Sequence, residues 1–224
     1  MQPGYICAAG IDLKTGNHVR PVLNGRLPAG LLKRNGGVLE IGAVIDLGTT
    51  KAAGSAPEVE DRNFSLENVK LIERMDPEPF WELLEQTSAT DLASIFGPSL
   101  QVNGNTCAVD LHSGNASLGC LVPSELPRLS TPFGTSVKIH ATDGSFRPTL
   151  PVTDLRFFEE DFQTPNLAAV ALASRRMRSG DEVILSVGLT RAWRKPNDTV
   201  SRHWLQVNGI HLKQDPLGEA FDDL

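Results

Sequence analysis

Apolar and polar positions alternate with a period of two along much of this chain, which is the signature of half-buried strands. Tyr5 to Asp12 and His18 to Leu23 read as two strands around a Lys14-Thr15-Gly16-Asn17 turn, with Gly16 where a positive φ is expected. Leu27 to Asn35 has room for one or two helical turns ending at Gly36-Gly37. Val38 to Thr50 is a β-branched stretch, and Asn68 to Arg74 alternates like an exposed strand. From Pro77 to Phe96 the period becomes helical, with Phe80, Leu83, Leu84, Leu92, Ile95 and Phe96 recurring and Thr87-Ser88 breaking the run in two.

The second half has a clearer order. Ala116 to Val122, Ser136 to Thr142 and Ser145 to Thr153 are strands, the last two joined by an Asp143-Gly144 hairpin signal. A helix follows, with Thr164 as N-cap, Pro165 at its first position and Gly180 as its stop. Glu182 to Trp193 and His203 to Leu212 are two final strands. Three strands, a helix and two strands is the order of the oligonucleotide-binding (OB) barrel. The pattern divides the chain into a β unit over 1–76, a helical linker over 77–110, a second β unit over 111–214 and an acidic tail over 215–224. The expected fold is mainly β, with two OB-like small barrels joined and capped by short helices.

Composition narrows the possibilities. A chain of 224 residues with 40% apolar and 21% charged positions can bury a sizeable core. No run suits a membrane helix and no leader pattern is visible, so the cytoplasm is the expected location. Cys7, Cys107 and Cys120 have no disulfide or zinc spacing and are expected to be buried thiols. The net charge of −6 is unevenly spread: Leu13 to Leu39 and Ala171 to Lys213 each carry +5, leaving −16 elsewhere. Local sign matters most to a polyanion, because screening confines each charge to roughly 8 to 10 Å.

The basic stretch near the end is unusual. Between the last two strands lie Arg194, Lys195, Pro196, Asn197, Asp198 and Arg202, with Trp193 and Trp204 just outside. Alternation puts Val187, Leu189, Arg191 and Trp193 on one face, and His203, Leu205 and Val207 on one face of the partner strand. Aromatics beside cations suit single-stranded nucleic acid, where bases stack and cations meet phosphate. Trp193 and Trp204 serve equally well as plugs for a barrel end. Arg20 and Arg147 each precede a proline in a strand-like run and present a fork either to phosphate or to an internal carboxylate, for which Asp12 and Asp154 are candidates. The candidate nucleic-acid-binding set is therefore Arg20, Arg147, Arg191, Trp193, Arg194, Lys195, Arg202, His203 and Trp204.

Enzyme signatures are weak. Asp12-Leu13-Lys14 has the D-x-K form of some nucleases without an upstream acidic ligand, and Ser117 in GNASLG misses the nucleophile-elbow spacing. Glu58, Glu60 and Asp61 with Glu40 form a remote candidate for a divalent cation, while His112, His140 and His211 stand alone. No catalysis, cofactor or metal is expected.

Several phrases, AAGIDLKTGNHVRPV, LEIGAVIDLG, ASLGCLVPSEL, LPVTDLRFF, VILSVGLTRAW and RHWLQVNGIHL, resemble the bacterial dual OB-domain proteins. The resemblance runs from about Tyr5 to Leu212. It implies two OB units, a nucleic-acid ligand and a setting in phage defence or related conflict systems. The alternative is an adaptor or regulatory subunit that grips a partner enzyme in a defence complex. An apolar patch over the Phe80 to Phe96 helices would favour that role.

Overall fold

The computed structural model describes residues 4–23, 26–196, 198–221 and 224. The first 76 residues hold short strands: β1 (Tyr5–Ile6), β2 (Gly10–Ile11), β3 (His18–Val22), β4 (Leu27–Pro28), β5 (Ala43–Asp46), β6 (Lys51–Ala52), β7 (Asp61–Asn63) and β8 (Lys70–Arg74). They form a four-stranded sheet in the order β2-β3-β7-β6 and two two-stranded ladders, β1-β4 and β5-β8. The β2–β3 hairpin is the one the sequence indicates. Pro21 sits in β3 beyond the reach of β2, where its missing N–H leaves no ladder bond unmade.

Next come α1 (Pro77–Thr87), β9 (Ser88–Ala89) and α2 (Leu92–Phe96), broken where the pattern breaks. Their apolar residues face inward: Trp81, Leu84, Leu92 and Phe96 are buried. The linker region also contains a hairpin the pattern did not indicate, β10 (Gln101–Asn103) with β11 (Thr106–Asp110), and β11 joins the sheet of the second unit.

The second unit contains β12 (Leu118–Leu121), β13 (Arg128–Ser130), β14 (Lys138–His140), β15 (Thr149–Pro151), α3 (Leu167–Arg178), β16 (Val183–Leu189) and β17 (Arg202–Leu212). Their pairing traces the OB circuit. β13, β14 and β15 are antiparallel neighbours. Beyond β15, Val152 bridges Val207 of β17 in parallel, β17 pairs β16, and β16 pairs β12. β12 and β13 are the two arms of the first barrel strand, bent at 122–127, so the circuit runs 1-2-3-5-4-1. Ile139, Leu150, Phe157, Leu185, Leu205 and Val207 fill the barrel, each no more than 1% exposed. Ala169, Ala173 and Met177 of α3 close one end of it.

Three local expectations change. The N-cap of α3 is Asn166, whose Oδ1 accepts from Ala169 N at 3.0 Å, because Thr164 is tied to Asp161. The β14–β15 connection is longer than an Asp-Gly turn: Asp143 Oδ1 gathers the N–H groups of Ser145 and Phe146, and Arg147-Pro148 lies outside β15. The tail is not peripheral, since Leu217 and Phe221 are buried and Phe221 packs 5.6 Å from the Phe157 ring. Cys107 and Cys120 are buried, and burial pushes both thiols up to about 11, whereas Cys7 is exposed. No helix among the described residues is long and apolar enough to cross a membrane.

Candidate functional site

The β16–β17 hairpin carries the chain past its barrel to a tip at 190–201. Val187 and Leu189 point into the core as alternation requires. Gly188 lets β17 approach, since a Cβ there would lie 2.3 Å from Asn208 Nδ2. Trp193 and Arg202 exchange both backbone hydrogen bonds at 3.1 Å, so the ladder reaches the base of the tip. Asn197 lies outside the described residues.

Of the tryptophans, Trp204 is a plug. It is 3% exposed, its indole N–H donates to Trp193 O at 3.2 Å, and Lys195 Nζ lies 3.4 Å from its ring centroid. Trp193 rests against it at 6.5 Å between centroids, yet keeps 43% exposure. Burial lowers the pKa of Lys195, and Lys138 of β14 adds to the effect. The charge of Asp198 opposes both effects. Arg194 is exposed and makes no ion pair among the described residues.

The other four candidate arginines are each paired with a carboxylate. Arg202 pairs with Asp198 at 2.7 Å and Asp110 at 3.0 Å. Arg191 reaches Asp61 at 2.6 Å and Glu58 at 2.9 Å; burial works against its charge, but its hydrogen bonds to these two outweigh burial and raise its pKa. Arg20 is 6% exposed, bonded to Ser117 Oγ and 3.5 Å from Asp61. Arg147 pairs with Glu125 on the surface. His203 is buried, with Nδ1 3.0 Å from Thr190 O. A finger of free arginines is therefore not what forms. Carboxylates claim these four arginines, from Asp198 only four residues before Arg202 to Asp61 and Glu58 far from Arg191, and the expected partners Asp12 and Asp154 are occupied elsewhere, Asp154 by Arg156 at 2.7 Å.

These pairs build a clasp between the two units. Glu60 is 6% exposed and accepts from Ser117 N at 2.7 Å, Leu118 N at 3.0 Å and Ser117 Oγ at 2.8 Å. With Asp61, Arg20 and Arg191 it fastens the 58–61 segment to the start of β12 and the end of β16. Arg20 and Arg191 thus engage Asp61 and Glu58, backbone and hydroxyl donors hold Glu60, and Glu40 stands apart with Lys33 and Arg74. No group of three or more potential metal ligands occurs among the described residues.

The loop between barrel strands 1 and 2 supplies what sequence reasoning missed. Phe133 is 100% exposed on a backbone with φ 52 and ψ 16. Its only signal was an aromatic between Pro132 and Gly134 in a polar stretch. On the adjoining strands, Arg128 pairs across from His140, and Ser130 from Lys138. His140 is braced by Ser130 at 3.2 Å and Thr149 at 3.0 Å. Ile139 and Leu150 point inward, leaving Lys138, His140, Thr149 and Pro151 outward on the strand 2–3 face. The loops bearing Phe133 and Trp193 are the two that flank the ligand face in OB barrels.

The family model described as "Dual OB-containing domain" matches residues 1–210. Searches of curated proteins and of solved structures found no match. An OB domain is a nucleic-acid- or protein-binding module, and a match over nearly the full length, together with the strand circuit, places this chain in the dual OB-containing domain family.

Proposed function

We propose that the second barrel binds single-stranded nucleic acid across its strand 2–3 face and performs no catalysis. One observation carries this reading: a fully exposed Phe133 and a half-exposed Trp193 stand on the two loops that border that face, with Lys138, Lys195 and Arg194 beside them. Exposed aromatics offer stacking surfaces worth about 1 to 3 kcal/mol per base, independent of sequence. Phosphate contacts are few, because Arg20, Arg191 and Arg202 are held by carboxylates. With Lys138, Arg194 and Lys195 as the cations at this face, log affinity should fall with log salt at a slope of only about −2. The defence setting implied by the family resemblance belongs to the same proposal.

Fluorescence anisotropy with a labelled single-stranded dodecamer tests it. Phe133→Ala with Trp193→Ala should weaken binding at least 30-fold, and Lys138→Glu with Lys195→Glu about 10-fold, with the circular dichroism spectrum unchanged. Affinity indifferent to both pairs removes the reading. The adaptor alternative loses the surface first considered for it, since the Phe80 to Phe96 helices turn their apolar residues inward. It keeps β8, whose Leu71 and Ile72 are exposed.

A further inference from the structure

At the end of β16 away from the tip lies a groove of about 360 Å³. Its walls come from α1, from the 122–127 bend and from the 180–184 segment. Since β16 is seven residues long and a strand rises about 3.3 Å per residue, the groove and the tip are about 20 Å apart. Both can be occupied at once.

The groove's chemistry is opposite to that of the tip. Four carboxylates line it, Glu85, Glu125, Asp181 and Glu182, and no lysine, arginine or histidine does. Two are already matched, Glu125 by Arg147 and Glu182 by Lys213 at 2.7 Å. Glu85 accepts the indole N–H of Trp81 at 2.7 Å and pairs with no cation directly, although Lys213, 5.9 Å from the Trp81 ring centroid, lies close enough to feel its charge. Asp181 is 5% exposed; its Oδ1 accepts from Gln214 N at 3.2 Å, and its Oδ2 has no hydrogen-bond partner. A buried carboxylate oxygen without a donor is rare in folded proteins and asks for one from outside. Around these acids the wall is apolar, and Leu126 and Val122 are 51% and 40% exposed.

We propose that this groove receives an arginine side chain of a partner protein, its guanidinium meeting Glu85 and Asp181 and its alkyl stem covering Leu126 and Val122. A carboxylate-lined wall repels phosphate, so the ligand is not nucleic acid. Arginine fits better than lysine because its planar fork presents five donors to two carboxylates on different elements, while lysine brings one compact charge. The proposal stands apart from nucleic-acid binding at the tip and survives if that reading fails.

The Trp81 indole N–H, bonded to Glu85, is a built-in reporter. Its NMR signal, assigned with Trp81→Phe, is followed while the full-length protein is titrated with the acetylated pentapeptide amide Gly-Leu-Arg-Leu-Gly and its lysine and glutamate counterparts. The arginine peptide should shift the signal saturably, the lysine peptide should bind at least five-fold more weakly, and the glutamate peptide should leave it unmoved. Glu85→Gln and Leu126→Ser should each weaken the arginine peptide at least five-fold, while Glu67→Gln, an exposed acid elsewhere, should not. No saturable shift with arginine, equal binding of either counterpart, or indifference to Glu85→Gln and Leu126→Ser overturns the proposal.

Discussion

Before α1, the described residues bury few apolar side chains, Ile6, Pro21, Val22, Leu27 and Pro57, and none of them joins the main core. The second barrel packs Phe157, Leu150, Ile139, Leu185 and Leu205 into one continuous core that Phe96 and Phe221 extend at its edges. The first unit is instead pinned to the second by the Glu60, Asp61, Arg20 and Arg191 clasp. One family name thus covers two units stabilised by different physics. Apolar burial is additive and local, whereas a buried ion network stabilises only when every member is satisfied.

The contrast can be broken by substitution. Phe157→Ala should cost about 4 kcal/mol in urea unfolding, as a large side chain leaves a cavity that the barrel cannot close. Ile45→Ala in half-exposed β5 should cost about 1 kcal/mol. Equal losses would show that the first unit has a core of its own. Glu60→Ala should cost about 3 kcal/mol, because it strands two buried N–H groups, the Ser117 hydroxyl and the arginine charges beside them. Glu125→Ala, which breaks the exposed pair with Arg147, should stay within about 0.5 kcal/mol. A Glu60→Ala protein as stable as the parent would mean that the clasp holds nothing.

Acid sharpens the comparison from the other side. Under α1, His211 Nε2 lies 3.0 Å from Ser186 Oγ and its Nδ1 lies 3.1 Å from Pro216 O. Burial, helped by Arg156, lowers its pKa from 6.5 to about 4. The unfolded chain therefore takes up this proton first as pH falls. The contribution is complete above pH 6.5 and disappears between 6.5 and 4, for a total of up to about 3 kcal/mol. His211→Gln should flatten stability over that window, and an unchanged slope would place the acid sensitivity elsewhere.

How much the sequence revealed divides along the same line. β16, β17, α3 and their order were legible because strict alternation and a 3.6-residue period survive where one face meets a large core. The β10–β11 hairpin was not, since Gln101 to Asn103 are all exposed and leave no apolar trace. The arginines of the tip were visible, but their fate was not: Arg191 finds Asp61 and Glu58 across about half the chain, and no local pattern encodes that pairing. Phe133 escaped notice because a lone aromatic in a turn has no period, and only its full exposure distinguishes it from a packing residue.

The account rests most on the strand 2–3 face of the second barrel being where nucleic acid lies. Amide and indole NMR shifts on titration with an unlabelled single-stranded dodecamer test this directly. The account predicts the largest changes in residues 128–140 and 190–201, including the Trp193 indole, with residues 43–74 unmoved. Shifts confined to the first 76 residues or to the groove beside α1, with Phe133 and Trp193 silent, would contradict it.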